Sequence, residues 1–329
     1  MSENVCYETY KKEIPAGCNI LDAPPGDLDL YGIPQRPDAV AETLLFAFWK
    51  KLVSPPFHKI TPGPPSFVGP PFGTQPPGTL ESSLNWSGAV VFPPQPKRFV
   101  FAAAGWIVPE VALPSAPALF THSDDPKSLI WVGLDGHNGR LPKMSLPQIG
   151  TAHRPGGPPE ERHFAWLYWW YHGSKDKVRP IRNLKIRPGN EILAGLQVLI
   201  SKDILFFIKN QSTGDYCCLC ARQPPVDIEP LGSSAEWVVE RPTDPTSLEF
   251  YPLADYGSVD FKYCFAVAAD ADTPLAPGAR LITLADNGDI IKMREAFANP
   301  YRTVYVSRAK QRLDPDGSIG VTCTFHEPN

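Results

Sequence analysis

From about residue 81 onward the chain reads as an all-β protein, a large antiparallel β-sandwich, and three observations predict it. Short apolar runs alternate with Gly, Pro, Asn and Asp through this stretch, the rhythm of strands and turns. The chain has 39 prolines in 329 residues, more than twice average usage, which disfavours long helices. The final segment alternates strictly, with Ile319, Val321, Cys323 and Phe325 on one side of a strand that follows the turn Asp314-Pro315-Asp316-Gly317.

Ahead of the sandwich, residues 1–53 form an extension with one helix. Residues 1 to 37 are acidic and turn-rich and end at Pro34-Gln35-Arg36-Pro37. Asp38 is suited to N-cap a helix in which Val40, Leu44, Ala47, Phe48 and Leu52 recur at helical spacing, closed by Ser54-Pro55-Pro56. That stripe is expected to dock on the main domain. Residues 54–80 are a proline-rich linker or arm, since four Pro-Pro pairs favour polyproline conformation and exclude central strand pairing.

The sandwich domain, residues 81–329, carries candidate strands at 88–92, 99–107, 128–133, 164–171, 191–199, 204–209, 215–221, 235–240 and 259–267. Asn210-Gln211-Ser212-Thr213-Gly214 joins two of them as a hairpin loop with a glycine for positive φ. Asp286-Asn287-Gly288-Asp289 is a further turn signal.

Composition narrows the function classes. Hydrophobic residues at 43%, charged residues at 20% and a net charge of -4 describe an ordinary globular protein with no basic field. Nucleic acid and anionic membrane are therefore not expected partners. The seven cysteines are clumped and odd in number, so reduced thiols are the default reading. Cys217 and Cys220 have C-x-x-C spacing, but without a second pair they lack the four ligands of a zinc site. No secretory h-region and no 18-residue apolar stretch occur, which suggests an intracellular protein, with non-classical secretion open. Oligomeric state is not indicated.

Two segments carry polar residues in positions suited to chemistry. In Ala235-Glu236-Trp237-Val238-Val239-Glu240 the residue types favour a strand, so Glu236, Val238 and Glu240 share one face. Their carboxylates sit about 13 Å apart along the strand, too far for the ~5 to 9.5 Å couple of a glycosidase. The other segment is Trp131-Val132-Gly133-Leu134-Asp135-Gly136 followed by Leu146-Pro147-Gln148-Ile149-Gly150. Between them, the run from Trp166 to Tyr171 places Trp166, Tyr168 and Trp170 on one face. No Gly-x-Ser-x-Gly, His-Glu-x-x-His or phosphate-cradling glycine loop is present.

These segments, in this order, resemble the catalytic blocks of the eqolisins, the glutamic peptidase family. Asn85-Trp86-Ser87-Gly88-Ala89 is similar to the start of the family's mature sandwich, and the stretch from Ala254 to Phe261 looks like the strand that follows its glutamate. The resemblance spans roughly residues 82 to 265. It implies a jelly-roll sandwich of the concanavalin or lectin-glucanase type that acts as an endopeptidase on polypeptide. It also implies that Glu240 is the catalytic base and Gln148 its partner. A glutamate can take a proton from water and return it to the departing amine, best in mildly acidic conditions given an unperturbed pKa of about 4.3. A glutamine amide can donate to the forming oxyanion. Neither needs a metal or other cofactor. The resemblance further makes Trp131, Asp135, Trp166, Tyr168 and Trp170 candidates for shaping the substrate cleft.

The chain also departs from the family. Tyr168 and Ala152 stand where secreted members carry acidic residues, so a very acidic optimum is not expected. The family's stapling cysteines and lysine-rich pro-segment have no counterpart, which marks a non-secreted branch. The alternative reading is a non-catalytic, lectin-like sandwich that binds carbohydrate or peptide, because fold does not fix function and the aromatic run also suits sugar stacking.

Overall fold

The computed structural model describes residues 5–10, 12–63, 73, 82–115, 125–137, 145–171, 178–223, 228–244, 247, 249–270, 279–295 and 304–327. Its strands in chain order begin with β1 (Tyr7–Thr9), β2 (His58–Lys59), β3 (Trp86–Val91), β4 (Arg98–Ile107), β5 (Ser128–Leu134) and β6 (Ser145–His153). Next come β7 (His163–Tyr171), β8 (Arg179–Lys185), β9 (Glu191–Val198), β10 (Ile204–Asn210), β11 (Asp215–Ala221) and β12 (Ala235–Glu240). The last are β13 (Ser258–Ala269), β14 (Arg280–Thr283), β15 (Asp289–Ile291), β16 (Met293–Arg294), β17 (Tyr305–Leu313) and β18 (Ile319–Phe325).

They form two antiparallel layers. The smaller sheet runs β15-β3-β12-β5-β6-β7-β8, and the larger runs β1-β11-β10-β9-β4-β13-β18-β17-β16, with β14 beside β13 and β2 beside β11 in parallel. The expected sandwich is therefore present, and each strand read from the sequence has its counterpart. The alternation that identified them also builds the core. Ala235, Trp237 and Val239 of β12 point between the layers with Ile130, Val132, Ile149, Leu167 and Trp169. Two indoles tie the layers together. Trp237 Nε1 donates to the Ala103 carbonyl at 2.8 Å, and Trp106 Nε1 donates to the Thr151 hydroxyl at 3.1 Å.

The extension packs on the other side of the larger sheet. The helix α2 (Thr43–Val53) follows a shorter one, α1 (Pro25–Tyr31), and lays Phe48 against Phe207, Tyr263 and Phe265, with ring centroids 5.6 to 6.5 Å apart. The sequence stripe needs correction here. Val40 is 90% exposed, Ala47 is also exposed, and Leu45, Phe48, Trp49, Leu52 and Val53 form the buried face. The reason is local: Asp38 Oδ1 accepts from the N–H groups of Val40 and Ala41 at 2.8 Å, capping a turn ahead of the helix that begins at Thr43. Beyond α2, β2 continues the chain onto the edge of the larger sheet.

The hairpin loop at 210–214 forms as expected, with Gly214 at φ 82° and its N–H bonded to the Asn210 carbonyl. The turn signal at 286–289 is met by a turn of helical type. Residues 284–287 make a helical turn, α3, in which the Thr283 hydroxyl accepts from the Ala285 N–H and Asp286 Oδ2 accepts from the Thr283 N–H at 2.8 Å, and Gly288 has an ordinary φ of -73°.

Candidate functional site

The face of the smaller sheet that points away from the larger sheet carries the chemistry-bearing side chains. Side chains alternate along each strand, so β3, β12, β5, β6 and β7 line up in cross-strand rows. One row holds Trp86, Glu240, Leu129, Ala152 and Phe164. The next holds Gly88, Val238, Trp131, Gly150 and Trp166, and the third holds Val90, Glu236, Gly133, Gln148 and Tyr168. Gln148 and Glu240 thus share a face but lie two rows and two strands apart.

Trp131 spans that separation. Its Nε1 donates to Glu240 Oε2 at 2.9 Å. Its other edge lies over Gly133, where an added Cβ would meet Trp131 Cζ3 at 2.9 Å and Gln148 Cβ at 3.3 Å. Across the row, a Cβ on Gly150 would come within 2.7 Å of Trp131 Cα and Cβ, so glycine is what lets the strands and the indole pack here. Trp86 meets Trp131 edge to face at 4.9 Å, which fixes the ring from the other side.

Glu240 has a second donor. Asn85 Nδ2 reaches Glu240 Oε1 at 3.4 Å. The Ser83 hydroxyl donates to Asn85 Oδ1 at 2.9 Å and accepts from the backbone of Asn85 and Trp86, so it turns the amide N–H toward the carboxylate. Arg241, which follows Glu240, is buried and donates to the Leu84 carbonyl, just ahead of Asn85, at 2.5 Å. The first strand of the sandwich and the end of β12 are thereby pinned around the carboxylate.

At the opposite end, Glu236 and Asp135 form a pair of buried carboxyls. Burial pushes the Glu236 carboxyl up to about 8, the charge of Asp135 pushes it the same way, and the Ser234 hydroxyl and the N–H groups of Gly136 and His137 temper the rise. Among the described residues, no hydrogen bond of normal geometry reaches either Glu236 oxygen. Burial likewise raises Asp135 to about 6, against the donors of the loop that enters β12. Ser233 N donates to Asp135 Oδ1 at 2.6 Å and its hydroxyl at 3.0 Å. Asp135 therefore anchors this loop, at a positive φ of 72°.

Past the Ala152 row lies an ion network. Lys127 pairs with Asp125 at 2.7 Å and sits 3.4 Å over the Tyr251 ring, and burial lowers its pKa to about 8. Arg154 joins Asp125 at 2.7 Å and Glu161 at 3.3 Å, and Arg182 completes it at 2.8 Å from Glu161. The face thus has carboxyls at the Glu236 end and paired cations beyond Ala152.

Of the residues singled out from the sequence, Gln148, Glu240, Trp131, Trp166 and Tyr168 are all on this face, each at most 1% exposed, and Trp170 packs beside them. Asp135 closes the end of β5 next to Glu236. Gly73, in the proline-rich arm, reaches the Glu240 end of the sheet and exchanges backbone hydrogen bonds with Thr243 at 2.8 and 3.0 Å, three residues past Glu240. Gln148, Glu240, Trp131, Trp166 and Tyr168 are thus shielded from water, whereas Trp170 is partly exposed. Sequence reasoning missed Asn85 and Ser83 as neighbours of Glu240. The signal available was the pairing of the Asn85-Trp86 block with the Glu240 strand, which no one-dimensional pattern displays.

The sequence pattern of the Peptidase A4 family matches residues 84–306. Among solved structures, scytalido-glutamic peptidase with a transition state analog inhibitor aligns at a TM-score of 0.53 and 18% identity. The alignment covers 75% of this chain and 100% of that one. SCP-B, a member of the eqolisin family solved with the tripeptide Ala-Ile-His, aligns at 0.50 and 17% identity, again over 75% of this chain and 100% of its own. At these identities the two structures show a shared fold. No curated protein sequence matches the chain.

Proposed function

The chain belongs to the peptidase A4 family and is a peptidase of the glutamic type, and from that premise we propose that it is an endopeptidase in which Glu240 activates a water and Gln148 stabilises the oxyanion. The observation that carries the assignment is the Glu240 carboxylate held by Trp131 Nε1 and Asn85 Nδ2 on the same buried face as Gln148. A base must be oriented as well as present. Here two N–H donors orient it, one from the flanking strand β5 and one from the residue just ahead of β3.

In the proposed reaction Glu240 takes a proton from water as the water oxygen bonds to the scissile carbonyl carbon. The carbonyl oxygen gains the negative charge, and the Gln148 amide N–H donates to it. Glu240 then gives the proton to the amide nitrogen, the C–N bond breaks, and a carboxylic acid and an amine leave. Trp166, Tyr168 and Trp170 wall the face on which an extended chain would lie. A polypeptide substrate is supported by the eqolisin relative that holds a tripeptide. Ala152 and Tyr168 remove two carboxylates that the family reading expects beside the pair, which favours a mildly acidic to neutral working range.

The test is digestion of a denatured protein by the purified full chain from mildly acidic to neutral pH, with and without a chelator. Fragments that form equally in both are expected. Absence of cleavage at every pH, together with binding of an oligosaccharide, would establish the lectin-like alternative instead.

A further inference from the structure

We propose that Glu236 is a positioning residue of the same reaction, a carboxyl that must stay a neutral acid for the oxyanion at Gln148 to be stabilised. This rests on the glutamic peptidase reading and gives a part to the second glutamate of the Ala235–Glu240 strand. Glu236 and Gln148 occupy one cross-strand row, with only Gly133 between them. Two strand spacings separate their backbones by about 10 Å, and in place of a side chain on Gly133 the edge of the Trp131 ring lies over the gap.

Glu236 is wholly buried, and among the described residues neither of its oxygens has a hydrogen-bond partner of normal geometry. The Ser234 hydroxyl and the N–H groups of Gly136 and His137 offset only part of the cost of charging it there. The charged and titratable groups around it, among the described residues, are few. Asp135 lies at the end of the neighbouring strand and opposes ionisation. His137 follows it and is held toward its neutral form by burial. Asp289 faces from β15 across Val90, and Glu240 lies two rows along the same strand. Tyr168 closes the row beyond Gln148. None is a lysine or arginine.

The two glutamates on this face therefore have different settings. Glu240 has two N–H donors to hold a carboxylate, whereas Glu236 has a neighbouring carboxylate and no donor of normal geometry. Such a division assigns one carboxyl to the charged state and the other to the neutral one. If Glu236 ionises, a negative charge enters the row of the Gln148 amide that meets the oxyanion, with the two backbones about 10 Å apart. At an effective permittivity typical of proteins, that slows the reaction on the order of tenfold.

The experiment reads the ratio of kcat/KM at pH 5 to that at pH 9, with a denatured protein as substrate, so that a general loss of activity cancels within each variant. In the wild type the ratio is raised by a decline with its midpoint near pH 8, where Glu236 titrates. In Glu236→Gln, which cannot ionise, this decline is absent and the ratio drops about tenfold. In Asp135→Asn the charge that opposes ionisation is gone and the midpoint moves to lower pH. A folded Glu236→Gln protein with the wild-type ratio overturns the proposal. If that variant does not fold, an unmoved midpoint in Asp135→Asn overturns it. Failure of the underlying reading looks different, because the wild type would then cleave nothing at any pH.

Discussion

The indole N–H of Trp131 donates to Glu240 Oε2 at 2.9 Å, while the opposite edge of the same ring rests over Gly133 beside Gln148. One aromatic side chain thus connects two residues that the strand register leaves two rows apart. Replacing Trp131 with Phe keeps most of the ring and deletes the donor. A hydrogen bond to a charged group contributes about 1.5 to 3 kcal/mol, so kcat is expected to fall roughly 10- to 100-fold with KM changed much less. Steady-state kinetics on a defined peptide checks this, and an unchanged kcat would remove Trp131 from the orientation of Glu240.

Asn85 and Ser83 act in series on the same carboxylate. Asn85→Ala removes the second donor and is expected to lower kcat about tenfold, in line with about 1 to 2 kcal/mol for a longer bond to a charged partner. Ser83→Ala frees the Asn85 amide to rotate, and a smaller loss in the same direction is expected. Measured together, the double variant should lose little more than Asn85→Ala alone, since both act through one amide.

Gly150→Ala tests the packing beneath the indole. The added carbon would fall 2.0 Å from the Ile130 carbonyl oxygen and 2.7 Å from Trp131 Cα, so strands β5 and β6 must shift. Overpacking of this kind costs about 1 to 3 kcal/mol. Denaturant unfolding is expected to show that loss, and kcat to fall with it as Trp131 is displaced.

Stability should fall with rising pH through the carboxyl pair. In the folded chain Asp135 is raised from 3.8 to about 6 and Glu236 from 4.5 to about 8. A raised carboxyl contributes stability that is complete below its unfolded pKa and is lost as pH rises through the folded value. The window runs from about pH 4 to pH 8, with the two groups titrating as a pair. At about 1.4 kcal/mol per pKa unit, the Glu236 part is about 5 kcal/mol at most. Unfolding free energies from pH 4 to 9 are expected to fall more steeply in the wild type than in Glu236→Gln, and parallel curves would contradict the pairing.

The extension contributes to stability from the side remote from the site. Phe48→Ala empties a pocket against Phe207, Tyr263 and Phe265 and is expected to cost about 3 kcal/mol. Because α2 sits on the far layer, kcat per folded molecule should stay within about twofold, as expected for sites without shared partners.

The sandwich was legible in the sequence because its strands alternate, and alternation is a local property. The same property placed Glu236 and Glu240 on one face and Trp166 and Tyr168 together on another strand's face. Helix α2 was legible as an element and so were Phe48 and Leu52 of its buried face, but Val40 lies outside it because the Asp38 turn shifts the helix start to Thr43. The turn at Asp286 was legible too, though not that Thr283 and Asp286 would cap it as a helical turn. Register is a non-local property. The pairing of Trp86 with Glu240 and the placing of Gln148 in the Glu236 row depend on which strands meet, so the sequence could not show Asn85 as a neighbour of Glu240.

The most direct test of the central claim is the rate at which folded Glu240→Gln cleaves a denatured protein, relative to wild type under identical conditions. Loss of a base that also returns the proton is expected to slow cleavage by roughly a thousandfold, with near-ultraviolet circular dichroism unchanged. Cleavage within tenfold of the wild-type rate would show that Glu240 is not the base.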